Sequence, residues 1–122
     1  MLEAIDHVQL AAPPGCEEEA RRFFGGLLGL EEIEKPEPLR ARGGAWFRVG
    51  AQQLHVGVER SFAPARKAHP AFAVRSYDEL QARLHEAGVE VTDDGSIPGI
   101  RRCYFADPWE NRIELIALDP GT

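Results

Sequence analysis

HPAFAVR, residues 69–75, is the stretch on which the reading of this chain turns. Phe72 and Val74 alternate with small or polar neighbours, so the segment reads as a short strand. It begins with a histidine. An earlier strand also carries one, in its middle: in IDHVQLAAP, residues 5–13, Ile5, His7 and Gln9 point to one face and Val8 and Leu10 to the other. Taken alone, a strand histidine is an ordinary half-buried side chain with one hydrogen-bond partner. Two of them heading similar successions of elements raise the question of whether the chain repeats itself.

The elements around residue 69 answer it. The first strand, residues 4–12, stops at Pro13-Pro14-Gly15. Residues 16–28 predict a helix. Glu17, Glu18 and Glu19 lie in its first turn, where the helix dipole favours negative charge. Ala20, Phe23, Phe24, Leu27 and Leu28 form one apolar face, and Gly29 closes the helix. Residues 30–35 predict a strand. Residues 36–44 hold two prolines, two arginines and two glycines and predict a mobile loop. Strands follow at 45–49 and 52–59 around a Gly50-Ala51 turn. On the second, Gln53, His55 and Gly57 share one face and Leu54, Val56 and Val58 the other. Residues 60–68 show no periodicity and read as a linker.

Then the order begins again. After residues 69–75, Ser76 heads a helix to residue 87, with Glu79 completing a capping box. Tyr77, Leu80, Leu84 and Ala87 form its apolar face and Gly88 ends it. A strand at 89–92, a loop at 93–99, a strand at 101–106, a turn at 107–111 and a strand at 112–118 complete the series. Strand, helix and three strands thus occur twice, an internal duplication of roughly sixty residues. The expected class is α+β: two tandem βαβββ modules, at about residues 4–60 and 68–120, in a single domain. The chain of 122 residues is long enough for a packed core.

Composition narrows the function. The sequence is 43% hydrophobic and 28% charged, which argues against disorder, and its net charge is -6. No basic run is long enough to follow a phosphate backbone, and Arg40, Arg42, Arg66 and Lys67 are scattered, so nucleic acid is not an expected partner. No apolar run reaches the length of a membrane span and no signal-peptide pattern is present, so no membrane partner and a cytoplasmic location are expected. There a disulfide between Cys16 and Cys103 is not expected, and without a CxxC pair neither belongs to a zinc ribbon.

Laid over the first half, the second puts His69 on His7 and Glu114 on His55 at nearly the same offset. Two packed repeats bring equivalent strand faces toward one axis, so side chains at matched positions converge. Imidazole suits iron, nickel, cobalt, manganese or zinc, and a carboxylate neutralises charge. His7, His69 and Glu114 form a two-histidine, one-carboxylate set that leaves coordination positions open. His55 either joins as a fourth ligand or lines the cavity. The opposite faces, Leu54/Val56/Val58 and Ile113/Leu115/Ala117, are apolar and suited to packing on the helices. His85, within the second helix, reads as solvated. Trp46, Phe47, Arg48, Arg102 and Tyr104 lie on neighbouring strands, and parity leaves open which of them contact substrate.

IDHVQLAAP, EEEARRFFGGLLGLEE, LHVGV, HPAFAV and YFADPWENRIELI together resemble the vicinal oxygen chelate superfamily over essentially the whole chain. That superfamily includes glyoxalase I, extradiol dioxygenases, fosfomycin-resistance thiol transferases, methylmalonyl-CoA epimerase and bleomycin-resistance proteins. The last stretch is similar to its DP-x-G-N-x-IEL signature. The resemblance implies two βαβββ modules, each a curved mixed sheet, around a cleft. It implies a divalent metal at the centre, ligated by His7, His69 and Glu114, and a homodimer. The implied chemistry is bidentate chelation of a small oxygen-rich substrate and Lewis-acid stabilisation of an enolate or oxyanion, with Glu114 the candidate base. Lyase or isomerase, dioxygenase and thiol-transferase reactions all remain open, as does metal-free sequestration of a small molecule, as in the bleomycin-resistance members. Two residues depart from the pattern. Glu110 stands at the signature glycine, and Asn111 is expected to take the left-handed conformation in its place. His55 stands where glyoxalase I resembles a glutamate and the epimerases a glutamine, and a metal-bound histidine is a poor mobile base.

Overall fold

The computed structural model describes residues 1–118. The chain divides into two compact units, Met1–Ala63 and Pro64–Thr122. In the first, β1 (His7–Ala12), β2 (Glu31–Ile33), β3 (Ala45–Val49) and β4 (Gln52–Val58) form one sheet in the order β1-β4-β3-β2. β1 and β4 are parallel and the other pairs antiparallel. Helix α1 (Glu17–Ala20) runs on into a π-helical stretch, Arg21–Leu27, rather than continuing as α-helix. Gly25 and Gly26, which weaken α-helix, lie in this stretch, and Leu28 N–H closes it on Phe23 O. The helical segment buries Ala20, Phe23 and Phe24, and the sheet buries Phe47, Leu54 and Val56.

Residues 36–44 are not the loose loop that their prolines and glycines suggest. They contain one helical turn, α2 (Glu37–Arg40), and side chains tie them down. Gly44 N–H donates to the Glu17 carboxylate at 2.6 Å, a bond that holds Glu17 below the usual carboxylate range. Arg40 Nε donates to Lys35 O at 3.0 Å, and Lys35 Nζ donates to Gly43 O. Gly44 has φ +86°, and a Cβ there would lie 2.1 Å from Val56 O, so only glycine fits.

The second unit repeats the plan. β5 (Ala71–Val74), β6 (Thr92–Asp93), β7 (Arg102–Ala106) and β8 (Arg112–Ala117) form a sheet in the order β5-β8-β7-β6, again with its first pair parallel. Helix α3 (Tyr77–Glu86) connects β5 to β6. Ser76 precedes it, yet its side chain makes no capping hydrogen bond, so the expected capping box does not form; its ψ of 57° lies outside the region usual for a cap. Tyr77 and Leu84 are buried, whereas Ala87, past the last helical residue, is exposed. The strand expected at 89–92 begins only at Thr92, because Val89 N–H is used to close the helix on Leu84 O.

The β7–β8 turn is built on buried Asp107. Its Oδ1 accepts from Trp109 N–H at 3.0 Å and Asn111 N–H at 2.8 Å, and its Oδ2 from Asn111 Nδ2 at 2.8 Å. These bonds fix Asn111 at the foot of β8. The left-handed residue is therefore Glu110, with φ 72°, and not Asn111. The α+β class and the order strand, helix, three strands hold in both units. Among the described residues no helix is long and apolar enough to cross a membrane.

Candidate metal centre

The strand registers give the repeat its chemical meaning. In the β1–β4 ladder Gln9 faces His55, so His7 stands two residues ahead of the partner of His55. In the β5–β8 ladder Ala71 faces Glu114, and His69 stands two residues ahead of it. Across the other side, Trp46 faces His55 and Tyr104 faces Glu114. Cross-strand partners share a face of the sheet, so each unit gathers an early histidine, a late ligand-type residue and an aromatic ring on one face. His7 opens β1, while His69 precedes β5 rather than lying within it, because Pro70 has no N–H to give a ladder.

In the first unit these side chains form a stack. The His7 and His55 rings are 4.1 Å apart and 18° from parallel; Trp46 and His55 are 3.7 Å apart and 3° from parallel. His55 is sandwiched, since β4 lies between β1 and β3. Its Nε2 donates to Gln53 Oε1 at 2.8 Å. Burial, and then His7, push the His55 pKa below the ordinary histidine value, so the ring is neutral at neutral pH. His7 is half-exposed and its Nδ1 donates to Asp6 Oδ1 at 2.9 Å, which leaves Nε2 with its lone pair. Arg48 shares this face and pairs with Glu31 at 3.2 Å on the surface. Phe47 does not share it. Its ring is fully buried, 5.8 Å from that of Phe24, and serves the core instead of a substrate surface.

In the second unit the same positions carry charge. His69 Nδ1 donates to Lys67 O at 2.7 Å, and Nε2 lies 2.9 Å from Glu114 Oε1. Arg102 Nη1 donates to Glu114 Oε2 at 3.1 Å and to the Tyr104 hydroxyl at 2.9 Å. Its Nη2 donates to Asp94 Oδ2 and Ser96 Oγ, both at 3.0 Å. Burial alone would raise the Glu114 pKa; the hydrogen bonds from His69 and Arg102 outweigh it and hold the carboxyl below its usual range. Tyr104 stands edge-on to His69 at 5.5 Å, and the Arg112 guanidinium lies 4.2 Å over the Tyr104 ring. Arg112, Asp94 and Ser96 were not among the residues picked out by pattern. Arg112 shares strand parity with Glu114, a usable signal; Asp94 and Ser96 lie in a loop without periodicity.

The family model described as Glyoxalase/Bleomycin resistance protein/Dioxygenase superfamily matches residues 4–115. The chain belongs to this superfamily. A glyoxalase family protein from Bacillus anthracis is 53% identical, with 96% of each chain covered and a TM-score of 0.93. FosX, a genomically encoded fosfomycin resistance protein from Listeria monocytogenes, was solved as a mutant with Mn(II) and 1S,2S-dihydroxypropylphosphonic acid. It is 22% identical over 96% of this chain and 93% of that one, with a TM-score of 0.79. Lactoylglutathione lyase from Agrobacterium tumefaciens is 22% identical over 96% and 95%, with a TM-score of 0.73. These last two likenesses show the fold. No curated protein matches the chain.

For a glyoxalase-superfamily chain the relevant question is whether these residues fit a divalent ion. Within either unit the ligand-type side chains meet as a pair, and no third joins it among the described residues. The His69–Glu114 pair fits on its donor chemistry. Lys67 O takes the Nδ1 proton, so the hydrogen bond between Nε2 and Glu114 needs a second proton on the ring, and a divalent ion can take that proton's place. Two acceptors at 2.9 Å need a proton or a cation between them. That separation is also about what two adjacent ligands have on one ion with bonds near 2.1 Å. His7 has the same arrangement, Nδ1 engaged and Nε2 free. His55 has the reverse, with Nε2 engaged by Gln53. A cavity of about 530 Å³ lies elsewhere in the first unit, lined by Glu17, Arg21, Glu32, Lys35 and Arg40 among others. Its charges already pair with one another or with backbone, as in Arg21–Glu32 at 2.9 Å and Arg40–Glu34 at 2.7 Å.

Proposed function

We propose that this protein is a divalent-metal-dependent enzyme acting on a small oxygen-rich molecule that chelates the ion through two oxygens. The observation that carries this reading is the His69–Glu114 pair, two ligand atoms 2.9 Å apart with the other nitrogen and the other oxygen already occupied. His7 is the second imidazole of the set. His55 is the fourth group, and its Nε2 is available only once Gln53 releases it. Iron, nickel, cobalt, manganese or zinc would supply Lewis-acid stabilisation of an enolate or oxyanion. The chain's own residues do the rest. Lys67 O and the Asp6 carboxylate orient the two imidazoles. Arg102 holds Glu114 Oε2, so Oε1 is the oxygen free to ligate or to take a proton, and Glu114 is the proposed base. Trp46, Arg48 and Tyr104 form the substrate-contacting surface. The working form is a homodimer in the cytoplasm.

Metal analysis of protein purified without chelator tests this. Wild type should retain a first-row ion, and His7→Ala, His69→Ala and Glu114→Ala should each lose it in titration with Mn(II) or Zn(II). A wild type that binds no ion would overturn the proposal. Tight small-molecule binding that survives His7→Ala and Glu114→Ala would establish the metal-free, sequestering function instead.

A further inference from the structure

Two donor groups on the sheet face that carries Glu114 are not consumed by the protein. Arg112 is half-buried, with its guanidinium 4.2 Å over the Tyr104 ring, and its side chain makes no hydrogen bond or ion pair among the described residues. The Tyr104 hydroxyl accepts from Arg102 Nη1, which leaves its own proton without an acceptor among the described residues. Arg102, by contrast, is spent on Glu114, Asp94, Ser96 and Tyr104. The phenol ring therefore holds Arg112 in place without using any of its N–H groups. A pre-positioned guanidinium fork beside a free hydroxyl proton matches a carboxylate or a tetrahedral oxyanion. Gln53 occupies the equivalent register position in the first unit, two residues before His55, and its amide oxygen is used by His55.

We propose that Arg112 and Tyr104 form a subsite for an anionic oxygen group of the substrate, a carboxylate or a phosphonate, beside the His69–Glu114 pair. The substrate is then an anionic chelator rather than a neutral diol. The position next to the ion rests on the metal-centre reading above; the anion subsite itself does not.

Calorimetric titration of methylphosphonate, and separately of acetate, into metal-free and Mn(II)-treated protein tests it. At least one anion should bind wild type. Arg112→Gln should weaken that binding by about tenfold or more, the loss of one charge-assisted contact. Arg112→Lys should restore part of it, and Tyr104→Phe should weaken it less. Arg75→Gln, which removes the same charge at an exposed position, should bind like wild type. The tighter of the two anions identifies the group. The proposal is overturned if neither anion binds wild type, if Arg112→Gln binds like wild type, or if Arg75→Gln loses as much. Mn(II) binding is read on the same samples by electron paramagnetic resonance. Anion binding without Mn(II) binding removes the metal reading and keeps the subsite; Mn(II) binding without anion binding does the reverse.

Discussion

In the first unit a buried imidazole lies between two other rings; in the second, at the equivalent register position, a buried carboxylate lies between an arginine and a histidine. The backbones are alike: a parallel pair, two antiparallel partners, and a histidine two residues ahead of the cross-strand position. The side chains solve burial in opposite ways. His55 sheds its charge and uses one hydrogen bond to Gln53. Glu114 keeps its charge because His69 and Arg102 both donate to it. A duplicated sheet thus supplies positions, and the local donors decide whether a position is neutral or ionic.

The strongest way to break this comparison is Glu114→Ala. It leaves His69 without its carboxylate and takes from Arg102 one of two carboxylate partners, Asp94 being the other, so stability should fall. Urea denaturation without added metal should show that loss. A cost under about 1 kcal/mol would mean that solvent screens the second unit's network after all.

The contact in the first unit should be smaller and of another kind. A double-mutant cycle with Trp46→Leu and His55→Leu should give a coupling of about 1 kcal/mol that salt does not reduce. Coupling that fades with added NaCl would show that the stack carries charge.

A pH series sharpens the same point. The folded state disfavours the His55 proton, and the unfolded chain takes it up at the ordinary histidine value. Stability is therefore present above that value and lost as pH falls from it toward the lower folded value. His55→Phe keeps a ring in the stack and should flatten that part of the dependence of the urea midpoint between pH 7.5 and 5. An unchanged slope would refute the assignment of neutral His55.

The smallest effect concerns the hairpins that end each sheet. The first turns through Gly50 at φ +57°, the second through Glu110 at φ 72°. Left-handed backbone costs an L-residue more than glycine's extra freedom costs the unfolded chain. Glu110→Gly should therefore raise stability by about 0.5 kcal/mol. Gly50→Ala should lower it.

Much of this is legible in the sequence. The duplication showed in element order and in matched histidines, and strand parity placed Gln53 and His55 opposite Leu54, Val56 and Val58. The rest depended on tertiary partners. Phe47 sides with the core because its register opposite Leu54 sets its face. Residues 36–44 are ordered by Glu17, twenty-seven positions from Gly44. Ser76 and Glu79 match a capping pattern, and backbone geometry at Ser76 overrides it. Asn111 loses the left-handed position to Glu110 because Asp107 holds it from two sides. Arg102 links the 94–96 loop to Glu114, a connection with no local sequence trace.

The stack in the first unit also gives the protein an optical property. Trp46 lies 3.7 Å from an imidazole whose protonation or ligation changes its power to accept an electron from excited indole. With Trp109→Phe, which leaves Trp46 as the sole tryptophan, emission from one residue reports the state of His55 directly. If His55 ligates an ion as proposed, occupancy of the candidate centre becomes a label-free fluorescence signal.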